Sequence, residues 1–164
     1  MSKIAFLALS AFLFCSCSNI GEKNHIVLND TNPLKTTFSP SNKTLNINNK
    51  RAFMLFFFST DCGACKEAVP SINFFAQKYS DSFDIIGVMN QSMGFDKDIE
   101  LLRAQNIIFK VVSDSKSVEY LSRVVGGVYG VPVIYMYDKD GRVSSKFLGL
   151  TPQNKLEEEI KKLI

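Results

Sequence analysis

Cys62-Gly63-Ala64-Cys65 places two thiols three residues apart. That spacing allows a disulfide when the turn joining them opens a helix. Phe53 to Phe58, just before them, is a continuous apolar run of strand length, and a helical pattern follows from Cys62 to Tyr79. This strand–turn–helix context turns a common spacing into a redox motif. The unpaired N–H groups and the dipole at a helix start favour negative charge. Cys62 is therefore expected to be the exposed attacking thiolate, with Cys65, one turn inward, as the shielded resolving thiol. Two other uses of the spacing stay open. Half a zinc site would need a second Cys or His pair; a permanent structural disulfide over so short a span would constrain little of the unfolded chain. A copper-delivery site would have three residues between its cysteines and a later histidine; here there are two, and none follows.

The rest of the chain supplies the elements such a pair needs, with no internal repeat. Asp84 to Met89 is a second apolar run, and two such runs suit strands buried on both faces of a mostly parallel sheet. Cys65, Val69, Ile72 and Ala76 form the inward stripe of the first helix, and Asp61 is expected to cap it. Thr44 to Ile47 reads as a short strand, Asp98 to Gln105 as a helix and Ile107 to Val112 as a strand. Ser117 to Val125 is helical, with Val118, Leu121, Val124 and Val125 inward and Gly126-Gly127 as its stop. Val133 to Tyr137 and Arg142 to Leu148 flank Asp138-Lys139-Asp140-Gly141, the signal of an antiparallel hairpin. Thr151 is expected to cap a last helix, with Pro152 in its first turn and Leu156, Ile160 and Leu163 buried. The order βαβ, then αββα, predicts an α/β sandwich with a mixed sheet.

Phe57 to Pro70, with Lys66 directly after the second cysteine and Pro70 five residues beyond it, is one half of a resemblance. Gly130-Val131-Pro132-Val133 and the hairpin behind it are the other. Together they resemble the thioredoxin superfamily, and within it the membrane-anchored TlpA/ResA-type thiol–disulfide oxidoreductases, from about residue 40 to the end. The resemblance implies a thioredoxin fold: a central mixed sheet flanked by helices, with an N-terminal strand extension. It implies a redox disulfide between Cys62 and Cys65 that carries the electrons itself, without metal or organic cofactor. It also implies a cis bond before Pro132, with Val131 presenting its backbone to a bound substrate. Three positions depart from the pattern. Asp61 stands where the family usually has Trp, and Phe56 where ordinary thioredoxins bury an aspartate. Ala68 occupies the place of a common Glu, while Glu67 is one residue early and so about 100° away around the helix. Asp61, Lys66 and Glu67 are the side chains placed to tune the pair. The departures weaken the implied role in cytochrome c maturation.

The chain begins with Lys3, an apolar run from Ile4 to Phe14, and then Cys15-Ser16-Cys17-Ser18. That is the layout of a secretory signal, and the run is shorter than the roughly 18 residues a membrane span needs. The two cysteines resemble a bacterial lipobox, with Cys17 the better lipid acceptor because Ser16 precedes it; the alternative is a soluble periplasmic protein. Residues 1–16 are thus expected to be a lipoprotein signal peptide, 17–32 a polar tether and 33–164 the thioredoxin-like domain. His25 falls in the tether and is expected to be solvated. The 164 residues hold 19 basic and 16 acidic side chains, for a net charge of +3, too mild and too scattered for nucleic acid.

The expected protein is therefore a monomeric, lipid-anchored reductase of exported disulfide-containing proteins on the outer side of a bacterial membrane. Asp61 opposes a thiolate at Cys62. Its pKa is accordingly expected at about 7, as in thioredoxin, rather than about 3.5, as in a strong oxidase. A reductant outside the cytoplasm needs electrons from a membrane thiol transporter, of the DsbD/CcdA kind by resemblance. The alternatives are a non-catalytic scaffold lipoprotein that keeps its disulfide closed, and a disulfide oxidase. Peroxidase chemistry is less well supported, since that family's own cysteine motif is missing.

Overall fold

The computed structural model describes residues 21–164; the expected signal peptide (1–16) and lipid acceptor Cys17 lie outside them. Three strands come first: β1 (Glu22–His25), β2 (Leu34–Ser39) and β3 (Thr44–Ile47). Then follow β4 (Ala52–Phe58), α1 (Gly63–Lys78), β5 (Phe83–Met89), α2 (Phe95–Ala104) and β6 (Lys110–Val112). The chain ends with α3 (Ser115–Val124), β7 (Val133–Tyr137), β8 (Val143–Leu148) and α4 (Gln153–Leu163).

Five strands form the central sheet in the order β6-β5-β4-β7-β8. β4 runs parallel to β5 and β5 to β6, whereas β7 is antiparallel to both β4 and β8. Successive side chains of a strand point to opposite faces, so the unbroken apolar run of β4 feeds two cores. Ala52, Met54, Phe56 and Phe58 pack against α1 and α4, together with Leu102 of α2. Phe53, Leu55 and Phe57 face the other way, toward Leu121 of α3 and the small antiparallel sheet β1-β2-β3. Gly87 of β5 is a close-approach position: a Cβ there would lie 2.8 Å from the Phe109 ring and 2.9 Å from that of Phe58.

The folded domain begins well before Pro33. β1 pairs with β2, and Val27 and Leu28 are buried. Leu28 N–H donates to the Val111 carbonyl at 2.8 Å. Asn29 adds two more bonds, to Phe109 O just before β6 at 2.7 Å and from Val111 N–H at 3.1 Å. These bonds cover an edge strand that would otherwise be open. The expected tether through residue 32 is therefore corrected for its described part. His25 is corrected with it. At 2% exposure, its ring nitrogens are hydrogen-bonded to Ser117 Oγ and Thr36 Oγ1, each at 2.8 Å.

Smaller corrections concern element ends. α2 starts at Phe95 rather than Asp98, and β6 is limited to three residues. Thr151 does not cap α4; its hydroxyl donates to Gly149 O at 3.4 Å, and the N-cap position belongs to Pro152. Among the described residues no helix is long and apolar enough to cross a membrane.

Candidate active site

The reactive segment hangs from the carboxyl end of β4. Phe58 O accepts from Asn90 N–H at 2.9 Å, and Thr60 O from the Gln105 side-chain amide at 2.8 Å. The loop is thus pinned both to the segment after β5 and to the end of α2. Cys62 then takes the N-cap position of α1 in an extended conformation, φ −77° and ψ 118°. Its sulfur accepts the Cys65 backbone N–H at 3.1 Å. The expected capping role of Asp61 is therefore wrong. A sulfur occupies the place at the helix start, and the exposed Asp61 carboxylate instead accepts the Ser59 hydroxyl.

Cys62 and Cys65 are joined in a disulfide, with Cα atoms 5.2 Å apart. Their surroundings differ: Cys62 is half-buried, whereas Cys65 is only 1% exposed and belongs to the core beneath α1. Phe56 lies in that same core. It stacks on Phe58 with ring centres 5.1 Å apart and meets the Phe109 edge at 6.0 Å. An apolar aromatic cluster thus takes the place of the aspartate that thioredoxins keep there.

The second sequence motif closes over the first. The Val131–Pro132 bond is cis, and the Val131 carbonyl oxygen is 3.8 Å from Cys62 Sγ. Pro132 O accepts from Gly149 N–H at 2.9 Å, which fixes the loop to the end of β8. Residues 69 positions apart in sequence thus meet at one sulfur.

Electrostatics at the site come from Asp61. The Ser59 hydroxyl, then Asp61's own backbone N–H, hold its carboxyl below the usual range against a small opposing effect of burial, with Lys66 adding a weak pull. A negative charge therefore sits beside Cys62 at neutral pH. Lys66 and Glu67 are both exposed on α1, and the inward position next to them belongs to the buried Ala68. Among the described residues no group of three or more metal-ligating side chains gathers.

Residues 23–164 match the Redoxin family. The chain belongs to the Redoxin family. It is a thiol–disulfide oxidoreductase of thioredoxin-like fold, and the relatives agree with the TlpA/ResA type. The thiol–disulfide oxidoreductase YkuV of Bacillus subtilis is 27% identical over 115 residues, covering 68% of this chain and 76% of that one. A thioredoxin-family thiol:disulfide interchange protein from Chlorobium tepidum has the same fold, with a TM-score of 0.67 at 18% identity over 87% of this chain and 92% of that one. So does a secreted Mycobacterium tuberculosis disulfide oxidoreductase homologous to E. coli DsbE, with a TM-score of 0.63 at 15% identity over 86% and 96% of the two chains.

Sequence reading missed the supports of this Redoxin site. Ser59 and Gln105 act through single side-chain bonds whose partners no local pattern reveals. The groove on the far side of the Val131–Pro132 loop is built by Tyr135, Lys146 and Leu148. The register of β7 with β8 sets Lys146 opposite Tyr135 only after an irregularity between Met136 and Tyr137, which the hairpin signal alone does not reveal.

Proposed function

We propose that this protein reduces disulfides of exported proteins outside the cytoplasm, with Cys62 as nucleophile and Cys65 as resolving thiol. The observation that carries the reading is the asymmetry of the pair: a half-buried sulfur at a helix start beneath the Val131 carbonyl, and a partner buried in the core. In the reduced enzyme the Cys62 thiolate attacks one sulfur of a substrate disulfide. That bond breaks, and the other substrate sulfur leaves as a thiolate. Cys65 then loses its proton and attacks the Cys62 sulfur of the mixed disulfide. The substrate's second thiolate is released, and Cys62–Cys65 is left oxidised. Two electrons and two protons pass to the substrate, and the cysteine pair is the only carrier required.

Substrate is held at Val131 and Pro132, where an extended segment pairs with the backbone of half-buried Val131. Asp61 beside Cys62 opposes the thiolate and so favours the reducing direction over the oxidising one. Lipid on Cys17 attaches the monomer to the membrane, and a membrane thiol transporter of the DsbD/CcdA kind resupplies the electrons. Apocytochrome c is one candidate among the exported substrates.

A Cys65→Ser variant tests the scheme in cells. It should accumulate mixed disulfides through Cys62 with its substrates, and the unmutated protein should turn over insulin disulfides with a dithiol reductant. Cys62 found free in the trap, together with inertness toward insulin, would favour the non-catalytic scaffold.

A further inference from the structure

The Val131–Pro132 loop has a second side. Beyond it lies a groove of about 440 Å³, walled by Tyr129, Val131, Pro132, Tyr135, Lys146 and Leu148 together with loop glycines. Its rim is strongly apolar: Tyr129 is 98% exposed and Leu148 69%. Lys146 supplies the groove's single charge. Its ammonium sits 5.0 Å above the Tyr135 ring centre, a cation–π contact that holds the charge at the groove wall. Among the described residues no carboxylate lies in ion-pair range of it, although eight other ion pairs form.

We infer that this groove reads the sequence beside the substrate cysteine and selects a segment with an acidic side chain. The inference rests on the reductase reading above. A polypeptide linked to Cys62 through sulfur must pass the Val131 carbonyl, 3.8 Å away, and the groove opens directly behind that loop. An apolar wall accepts the body of the segment, and an unpaired ammonium attracts a carboxylate while rejecting lysine or arginine. Asp61, preceding Cys62 in the chain, carries the opposite charge. The groove's lining includes no residue of the Asp61 loop or of α1, so the preferred acid lies on the groove's side of the substrate cysteine only.

The test uses the reduced full chain and peptides carrying one cysteine as a mixed disulfide with 2-mercaptoethanol. Glu, Gln or Lys is placed in turn at each of the three residues on either side, and each rate is divided by that of the same protein with hydroxyethyl disulfide. Glu should exceed Lys by about fivefold at positions on one side only, the size of a partly exposed ion pair. High salt should shrink the preference. Lys146→Glu should invert it, and Lys146→Gln should bring it near unity. A preference that keeps its sign in Lys146→Glu, or no preference at any position, would overturn the groove's role while leaving the reductase intact. Failure to reduce any probe, hydroxyethyl disulfide included, would overturn both readings.

Discussion

Asp61 precedes the cysteine proposed to attack, and the Ser59 hydroxyl bonded to its carboxylate holds its pKa below the usual carboxylate range, so that it is anionic at neutral pH. Its negative charge disfavours the Cys62 thiolate and therefore the reduced pair's stability as a thiolate, which is the property that separates reductants from oxidants. Asp61→Asn should make the pair more oxidising by about 10–30 mV, read by equilibration in thiol–disulfide buffers. Ser59→Ala should leave the potential nearly unchanged, because the carboxylate would lose its strongest partner but keep its charge at neutral pH. Both cysteines were legible from residue type and spacing, and the cis proline from the family resemblance. The charge of Asp61 beside Cys62 was legible too, but the cap was misassigned to it, because preferences at helix starts are built on oxygen side chains, and here the cysteine's own sulfur took the N–H.

Among the elements, the buried strands were legible because an unbroken apolar run can only be satisfied by two covered faces, and β4 has them. β1 was hidden for the opposite reason. Glu22-Lys23-Asn24-His25 is polar throughout, and His25 is buried by partners 11 and 92 residues away. Burial lowers the His25 pKa from its ordinary value; Asp114 raises it in part, and Lys23 lowers it further. The unfolded chain therefore takes up this proton first as pH falls. The stability of neutral His25 is fully present above about 6.5 and is lost as pH drops toward the folded value, by at most about 1.4 kcal/mol per pH unit. Urea midpoints at mildly acidic and neutral pH should show that loss, and His25→Gln should flatten it. A midpoint independent of pH would show that β1 is not held by a neutral imidazole. Gly87→Ala tests the aromatic cluster behind the site. The new methyl group would press on Phe58 and Phe109, and overpacking of this kind costs about 1–3 kcal/mol, measurable by thermal melting.

For the whole molecule, the early start of the domain alters how the site relates to a membrane. With β1 at Glu22, four residues separate it from Cys17, so a lipid there would hold the domain close to the surface and leave little slack for a long tether. Cys17→Ala should shift the protein from the membrane fraction to the soluble one, and intact mass should show the lipid on the unmutated chain. The general order of strands and helices was readable from alternating patterns. The three-stranded sheet on the α3 face was only partly readable, since its packing depends on residues far apart in the chain. The activity of the whole molecule depends on Cys62 and Cys65 forming a reducing dithiol. That character is tested most directly by the equilibrium reduction potential of the pair, measured by quantifying oxidised and reduced protein across graded thiol–disulfide buffers. A reducing dithiol should give a value toward the thioredoxin end, about −270 mV, and a value near −120 mV would make the protein an oxidase instead.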